Sequence, residues 1–396
     1  MKDLSLASLL APVEVATFLE EYWEKKPLVV SGRDSHYYDN LFSIQDVGRL
    51  LFRGRPYEDV TLVKKQDRPK LSQPFDVMEV QRYFHAGYTV ALNHLYGRHE
   101  ALSIFCRSLG DFFTYGIGAN MYLTPRNSQG FRPHYDYHDV LALQIWGTKK
   151  WYLYGLVTPP LPADGYPDLA PDLYAQPKPD RLPEVQQEIW LKPGDLLYLP
   201  RGVVHEASTG PDAHSLHLTI GVYNVTWGHL LVEALEVLTR RNVDFRRSVL
   251  PSLLENEGGR SAIKAQAAAL VKTFLEQLGP SLEEARQLNV TNFRKRPSLL
   301  PDYGSLFEGS APVVELDTII RKRDDIAYKL VETDGQAGIF LSSGHQVMGP
   351  ARLKPVFQYI LAVQGAFAIR QIPYLSDQAK LTLGRRLVFE NALVPV

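Results

Sequence analysis

Gly194-Asp195-Leu196-Leu197-Tyr198-Leu199-Pro200-Arg201-Gly202-Val203-Val204-His205 is the stretch whose reading decides the fold. Gly194-Asp195 marks a turn, the apolar run after it reads as a short buried strand, and Pro200-Arg201-Gly202 closes that strand in a second tight turn. The imidazole of His205 therefore lies just past a strand and a turn, where it can fold back over the sheet. The same grammar extends outward from Ala119 to Tyr223. Short apolar runs at 120–123, 140–145, 150–154, 187–191, 195–199 and 215–222 alternate with Gly, Pro and Asp turns, the pattern of an all-β sandwich or barrel. Residues 159–183 interrupt it with eight of the chain's 27 prolines, a density that no strand or helix interior tolerates, so they read as an inserted surface loop.

The flanks have other periods. Val13, Val15, Phe18, Leu19 and Tyr22 recur at helical spacing up to Lys25-Lys26-Pro27, and a short strand follows at Leu28-Val29-Val30. Between 44 and 115, helices at 44–51 and 77–86 mix with strands at 60–63 and 89–92. After Trp227 the period is helical over 229–240, 262–278 and 282–287, and Pro297 and Pro301 mark a boundary. The remainder mixes strands at 313–316, 325–330 and 338–341 with helices at 352–363 and 376–390. The expectation is an α+β chain in three parts: a catalytic domain over 1–226, a helical segment over 227–298 and a small domain over 299–396.

Composition sets further bounds. At 396 residues the chain exceeds one ordinary core, and with 45% hydrophobic and 22% charged residues it is globular in type. Lys and Arg number 43 against 44 Asp and Glu, so no global field attracts nucleic acid or an anionic membrane. Cys106 is the single cysteine, which excludes a disulfide framework, a cysteine-rich zinc site and an iron-sulfur cluster, and suits a reducing compartment. No apolar run approaches the ~18 residues of a membrane span, and Pro12 and Glu14 interrupt the N-terminal apolar stretch, so a cytoplasmic protein without membrane contact is expected.

Without thiolates, a metal site must use histidine and carboxylate. Pro133-His134-Tyr135-Asp136 places His134 and Asp136 at i and i+2, which on a strand point to the same face. His205 follows 69 residues after Asp136. Either motif alone occurs in ordinary half-buried strands and in metal-free cupins; together, in one β-rich stretch, they point to a metal site. Two histidines and one carboxylate on one face suit non-haem Fe(II) and leave coordination positions open. A chelating co-substrate such as 2-oxoglutarate also needs a cation for its distal carboxylate. Lys149 is the candidate, alternation turning one of Lys149 and Lys150 inward, although a solvated turn is the plainer reading of that pair. Asn120 and Tyr122, again i and i+2, can add hydrogen bonds from a neighbouring strand.

The segments Asn120-Met121-Tyr122-Leu123-Thr124-Pro125, Asn127-Ser128-Gln129-Gly130-Phe131, Pro133-His134-Tyr135-Asp136, Gln144, Gly147-Thr148-Lys149-Lys150-Trp151 and Leu199-Pro200-Arg201-Gly202-Val203-Val204-His205 resemble the JmjC-type ribosomal oxygenases. The opening Phe18-Leu19-Glu20-Glu21-Tyr22-Trp23-Glu24-Lys25-Lys26-Pro27 resembles that family's start, so the likeness runs from about 18 to 225. It implies a double-stranded β-helix (the cupin or JmjC jelly roll) that uses Fe(II), 2-oxoglutarate and O2 to hydroxylate a ribosomal-protein side chain, histidine or arginine. It also implies a helical dimerisation segment, hence a homodimer, and a C-terminal winged-helix-like domain. Carried over by position, His134, Asp136 and His205 match the iron ligands, Lys149 the basic residue for the distal carboxylate, and Asn120 and Tyr122 pocket positions. His217 lies on the following strand, where it either faces the pocket or simply packs.

Other readings compete with this one. The same chemistry could act on a peptide, a small molecule or a methylated lysine. Alternatively, a metal-binding cupin without catalysis could regulate through a DNA-binding winged helix. From Pro301 to the end, however, ten Lys and Arg face ten Asp and Glu, without the basic footprint that phosphate binding requires. Trp146, Trp151, Tyr152 and Tyr154 read as core packing. His138 shares the expected strand face of His134 and Asp136 and suggests a substrate-side role. The smooth side of the Ala-rich helix, interrupted by Lys264, Lys272 and Glu276, suits contact between helices.

Overall fold

The computed structural model describes residues 4–53, 60–72, 76–113, 116–156, 160–162, 177–178, 182–255, 259–294, 314–323, 328–333, 335–341, 346–390 and 392–396. Most of the proline-rich 159–183 stretch and the Pro297–Pro301 boundary lie outside these residues. The chain divides into two compact units, one formed by residues up to Asn224 together with the C-terminal residues from Pro297, the other by Val225–Arg296.

In the first unit the N-terminal segment contributes α1 (Leu6–Leu10), α2 (Val15–Thr17), a wide π turn over Phe18–Tyr22, β1 (Leu28–Val30), α3 (Ile44–Arg53), β2 (Val60–Val63), α4 (Val77–His85), β3 (Thr89–Leu92) and α5 (Glu100–Phe113). The central strands are β4 (Gly116–Thr124), β5 (Asp139–Gly147), β6 (Lys149–Leu156), β7 (Gln187–Leu191), β8 (Leu196–Leu199), β9 (Val203–Ser208) and β10 (Ser215–Tyr223). A seven-stranded sheet runs in the order β1-β8-β5-β10-β4-β3-β2, and a three-stranded sheet in the order β7-β6-β9, every pairing antiparallel.

Strand alternation explains how the large sheet is buried on both faces. Met121, Leu141, Leu143, Leu218 and Ile220 pack outward with Leu9 and Leu10 of α1 and Leu102, Phe105 and Leu109 of α5. Cys106 sits in that layer, and burial pushes its thiol up to about 12, so it stays protonated. The neighbours Val140, Ala142, Leu197 and Leu199 point the other way, onto Trp151, Leu153, Ile189 and Leu191 of the small sheet. Each such side chain contributes roughly 1.5–3 kcal/mol on burial. The expected all-β core is thus a double-layered antiparallel assembly consistent with a cupin jelly roll.

The C-terminal residues form β11 (Ile319–Lys322), β12 (Tyr328–Thr333), β13 (Gln336–Leu341), β14 (Gln346–Pro350), β15 (Ala366–Ala368) and β16 (Leu393–Pro395) in two three-stranded sheets, β15-β11-β16 and β12-β13-β14. Two helices, Lys354–Ala362 and Asp377–Phe389, share their core, in which Phe357, Ile360 and Leu387 are buried. The expected strand at 313–316 is not one: its described residues lead into a turn in which Glu315 N donates to Thr318 Oγ1 (2.8 Å) and Thr318 N to the Glu315 carbonyl (3.1 Å). The threonine hydroxyl competes with a sheet ladder for the backbone, and the strand starts at Ile319.

The second unit is helical, with α6 (Trp227–Arg241), α7 (Pro251–Glu255), α8 (Gly259–Glu276) and α9 (Leu278–Arg294). Thr226 caps α6 reciprocally with His229. α9 is longer than the expected 282–287, because Pro280 lies in its first turn, where a missing N–H costs nothing. Ala234 and Val237 of α6 pack on Ala285 of α9, while Val271 and Leu275 of α8 are 55% and 62% exposed.

Candidate metal centre and pocket

His205 comes from β9, whose partner in the small sheet is β6, Leu153 lying opposite it. His134 reaches it from a connection, not a strand. Residues 133–138 are irregular except for one bridge, in which His134 N donates to the His205 carbonyl (3.0 Å) and His205 N to the His134 carbonyl (2.8 Å). Gly202 N donates to the Asp136 carbonyl (3.0 Å), so the turn before β9 holds the carboxylate's backbone as well. The expectation that His134 and Asp136 share a strand face is therefore corrected: backbone bonds to the turn and strand of His205 bring them together, where a ladder was expected.

The side chains converge regardless. One ligand atom from each of His134, Asp136 and His205 lies within 4.8 Å of the others, and His205 Nε2 stands 3.7 Å from Asp136 Oδ2. His134 Nδ1 donates to the Arg132 carbonyl (2.8 Å) and His205 Nδ1 to the Val203 carbonyl (2.9 Å). A carbonyl only accepts, so both rings carry a proton on Nδ1, which leaves Nε2 as the nitrogen available to a metal, and the backbone carbonyl behind each ring fixes its orientation. Burial, then the neighbouring His134, pushes His205 down to about 4, keeping it neutral. For Asp136 burial acts upward, but His205, His138 and His134 outweigh it and hold the carboxyl below its ordinary range. Two imidazoles and an ionised carboxylate are a donor set that suits divalent iron.

The cluster opens into a cavity of about 510 Å³. Lys149 lines it and is 4% exposed, its Nζ donating to Thr124 Oγ1 at 2.8 Å. Burial drives its ammonium down to about 7. Lys150 points outward, pairing with Glu188 at 2.8 Å and lying over the rings of Tyr152 and Trp190. Alternation thus settles which lysine enters the pocket, and the solvated-turn reading fails for Lys149. Asn120 and Tyr122 face the cavity from β4 while Ala119 and Met121 between and beside them are buried in the outer layer. His217 sits opposite Tyr122 on β10 and stacks on it, ring centroids 5.1 Å apart. It both packs and lines the pocket; burial, then Lys149 and His205, holds it well below 6.5, and its Nδ1 is buried without a hydrogen-bond partner.

His138 lines the cavity too, but its ring stacks on Tyr223 (4.7 Å between centroids) and it is not one of the clustered donors. Thr124 and Trp151 were not singled out for the pocket. Thr124 continues the inward series Asn120, Tyr122, so alternation alone points to it. Trp151 packs against both His205 and His217, at 5.7 and 5.4 Å between centroids. Arg68, held over Phe131 at 5.5 Å, arrives from a distant segment with no local signal. Trp146 departs from the expected core packing: at the end of β5 it is 41% exposed.

The double antiparallel sheet and the two-histidine, one-carboxylate cluster define the class of an oxygenase with a JmjC domain, and a profile of the JmjC domain matches residues 102–230. A mouse protein named Ribosomal oxygenase 2 is 31% identical over 345 residues, covering 79% of this chain and 69% of its own length. The chain belongs to the ribosomal oxygenase family. A Drosophila persimilis relative, named a bifunctional lysine-specific demethylase and histidyl-hydroxylase NO66, is 32% identical over 65% of this chain; the chain spans 38% of that relative's length. Among solved structures, the Escherichia coli ribosomal oxygenase YcfD in complex with cobalt and 2-oxoglutarate superposes with a TM-score of 0.57 at 16% identity, over 97% of this chain and 98% of that one, a likeness of fold.

Proposed function

We propose that this protein is an Fe(II)- and 2-oxoglutarate-dependent oxygenase that hydroxylates a side chain of a ribosomal protein. The observation that carries the reading is the convergence of His134, Asp136 and His205 in one cavity with the buried lysine Lys149. His134, Asp136 and His205 would hold Fe(II), which when bound supplies the site for 2-oxoglutarate and O2. Lys149 and Thr124 would receive the distal carboxylate, and Asn120, Tyr122 and His217 supply hydrogen-bonding groups from the sheet. Trp151 and the apolar layer beneath it keep the site dry. The products are succinate, CO2 and a hydroxylated side chain.

Charge in the cavity bears on the target residue. Its described lining carries Lys149, Arg68 and Arg132, while its single carboxylate, Asp136, belongs to the metal cluster. A guanidinium or a methylated ammonium would enter without a counter-charge, whereas a neutral imidazole can bond to Asn120 and Tyr122. Histidine is therefore favoured over arginine and methyl-lysine. The test offers histidine- and arginine-containing ribosomal-protein peptides to the Fe(II)-loaded enzyme and follows succinate together with incorporation of one oxygen by mass spectrometry. Oxidation confined to the arginine peptides would reverse the preference, and absence of any 2-oxoglutarate turnover would remove the assignment.

The chain organisation fits the same reading. The domains are a catalytic domain over 1–226, a helical segment over 227–298 that pairs two copies into a homodimer, and a C-terminal winged-helix-like domain over 299–396. The exposed Val271 and Leu275 of α8 support the pairing. The balanced charge from Pro301 onward supports a protein-contact role over DNA binding. No helix among the described residues is long and apolar enough to cross a membrane, and a cytoplasmic site of action accords with the single buried thiol.

A further inference from the structure

Behind the metal cluster, outside the cavity, lies a second polar assembly. Glu24 holds a left-handed backbone conformation (φ +56°), unusual for a side-chain-bearing residue. It persists because the surroundings bind it. Glu24 N donates to Tyr198 Oη (2.9 Å), and Glu24 Oε1 accepts from Arg201 Nη2 (2.8 Å) and from Asn224 Nδ2 (3.1 Å). Tyr198 Oη donates in turn to Asp139 Oδ1 (2.6 Å), and Asn224 Nδ2 also donates to Asp139 Oδ2. Asp139 is fully buried and Arg201 7% exposed, and the rings of Trp23 and Phe18 close over Tyr198.

These residues sit at the joints of the two ligand-bearing segments. Asp139 follows Asp136 by three positions and begins β5; Arg201 lies in the turn that precedes β9 and His205. The register Val140 to Leu199 fixes the two joints side by side, and the Gly202 N bond to the Asp136 carbonyl spans them on the metal side. Glu24 and Asn224 tie both to the N-terminal segment and to the end of β10. We propose that Glu24, Arg201, Asp139, Tyr198 and Asn224 act as a positioning clamp that sets the spacing of Asp136 and His205, and so metal affinity, without touching metal or substrate. A buried charge set of this kind contributes little net stability compared with apolar packing, which makes positional specificity its function here. The inference rests on the reading of the His134, Asp136 and His205 cluster as the metal site.

The test is Co(II) binding to the full chain, followed by equilibrium titration and by the visible absorption of the bound ion. Arg201→Met and Tyr198→Phe are expected to weaken Co(II) about ten- to hundredfold, the range typical of groups behind a metal ligand, and to alter the spectrum. Arg201→Lys should recover part of the loss. Val90→Ala, in the outer layer of β3, serves as the control for lowered melting temperature. Co(II) affinity within twofold of wild type in both clamp variants, or an equal loss in Val90→Ala at matched melting temperature, would overturn the clamp alone. A wild-type protein that binds no stoichiometric Co(II), or binds it unchanged after His134→Ala, would instead overturn the metal-site reading and with it the clamp.

Discussion

Lys149 offers a quantitative handle on the pocket. Its ammonium is buried with one hydroxyl for company, and its pKa falls from 10.5 to about 7. A shift of that size corresponds to at most about 5 kcal/mol of penalty on the charged form. In the empty protein the unfolded chain keeps the proton throughout the window between those two values while the folded protein has lost it. Folding stability therefore rises with pH across the window, and below about pH 7 the penalty is felt in full. An entering carboxylate reverses this, because it needs the charged form. Only the protonated fraction is then competent, and that fraction falls from one half at pH 7, so 2-oxoglutarate affinity should drop about fivefold from pH 7 to 8 and about ninefold from 8 to 9. His205 of the candidate metal cluster, held near 4, contributes nothing to that slope. Calorimetric titration of the Mn(II)-loaded protein with 2-oxoglutarate under anaerobic conditions, from pH 7 to 9, measures it. Lys149→Met should remove the slope, weaken 2-oxoglutarate at pH 7 by at least about tenfold through loss of a charge-assisted bond, and raise the melting temperature of the empty protein. A wild-type affinity that stays flat over those two pH units would refute the reasoning.

Further expectations concern the cluster, the cavity wall and the assembly. His134→Ala and Asp136→Ala should each reduce succinate formation by more than about a hundredfold, since they remove donors themselves and not groups behind them; near wild-type turnover in either would sink the site. At Gly221 an added Cβ would stand 2.7 Å from His138 Cδ2, so Gly221→Ala should displace the His138–Tyr223 stack, lowering stability by about 1–3 kcal/mol in denaturant titration while leaving Co(II) binding in place. Asn120→Asp gives the cavity a second carboxylate and should shift peptide preference from histidine toward arginine; unchanged relative kcat/KM for the two peptides would argue against the charge account. Light scattering after gel filtration at micromolar concentration should return the mass of a dimer, and a monomer would remove the pairing proposed for α8.

Much of the site was legible because strand alternation is local. Asn120 and Tyr122 on β4 and Lys149 against Lys150 on β6 face inward by a period of two, while His217 on β10, for which packing was an equal reading, both packs on Tyr122 and lines the pocket. The same rule reaches Thr124, whose hydroxyl holds the Lys149 ammonium. It failed where no ladder exists. His134 and Asp136 occupy an irregular connection, and the turn at 315–318 belongs to side-chain hydrogen bonding, which hydrophobic period does not register. Trp146 was misjudged for a related reason: aromatic character says nothing about whether the end of a strand is covered.

By itself the sequence determined the kinds of atoms available. One cysteine left histidine and carboxylate as metal donors, the turn-punctuated apolar runs required an antiparallel double layer, and the near-zero net charge removed a general polyanion field. Those properties depend on composition and on neighbours along the chain. Only the tertiary structure decided which donors meet. The His134 to His205 bridge joins residues far apart in sequence, the Glu24, Arg201 and Asp139 set joins three more segments, and the burial that brings Lys149 to about 7 exists only once both sheets have closed over it. Distance and dielectric are properties of the packed chain, and the chemistry of this pocket depends on both.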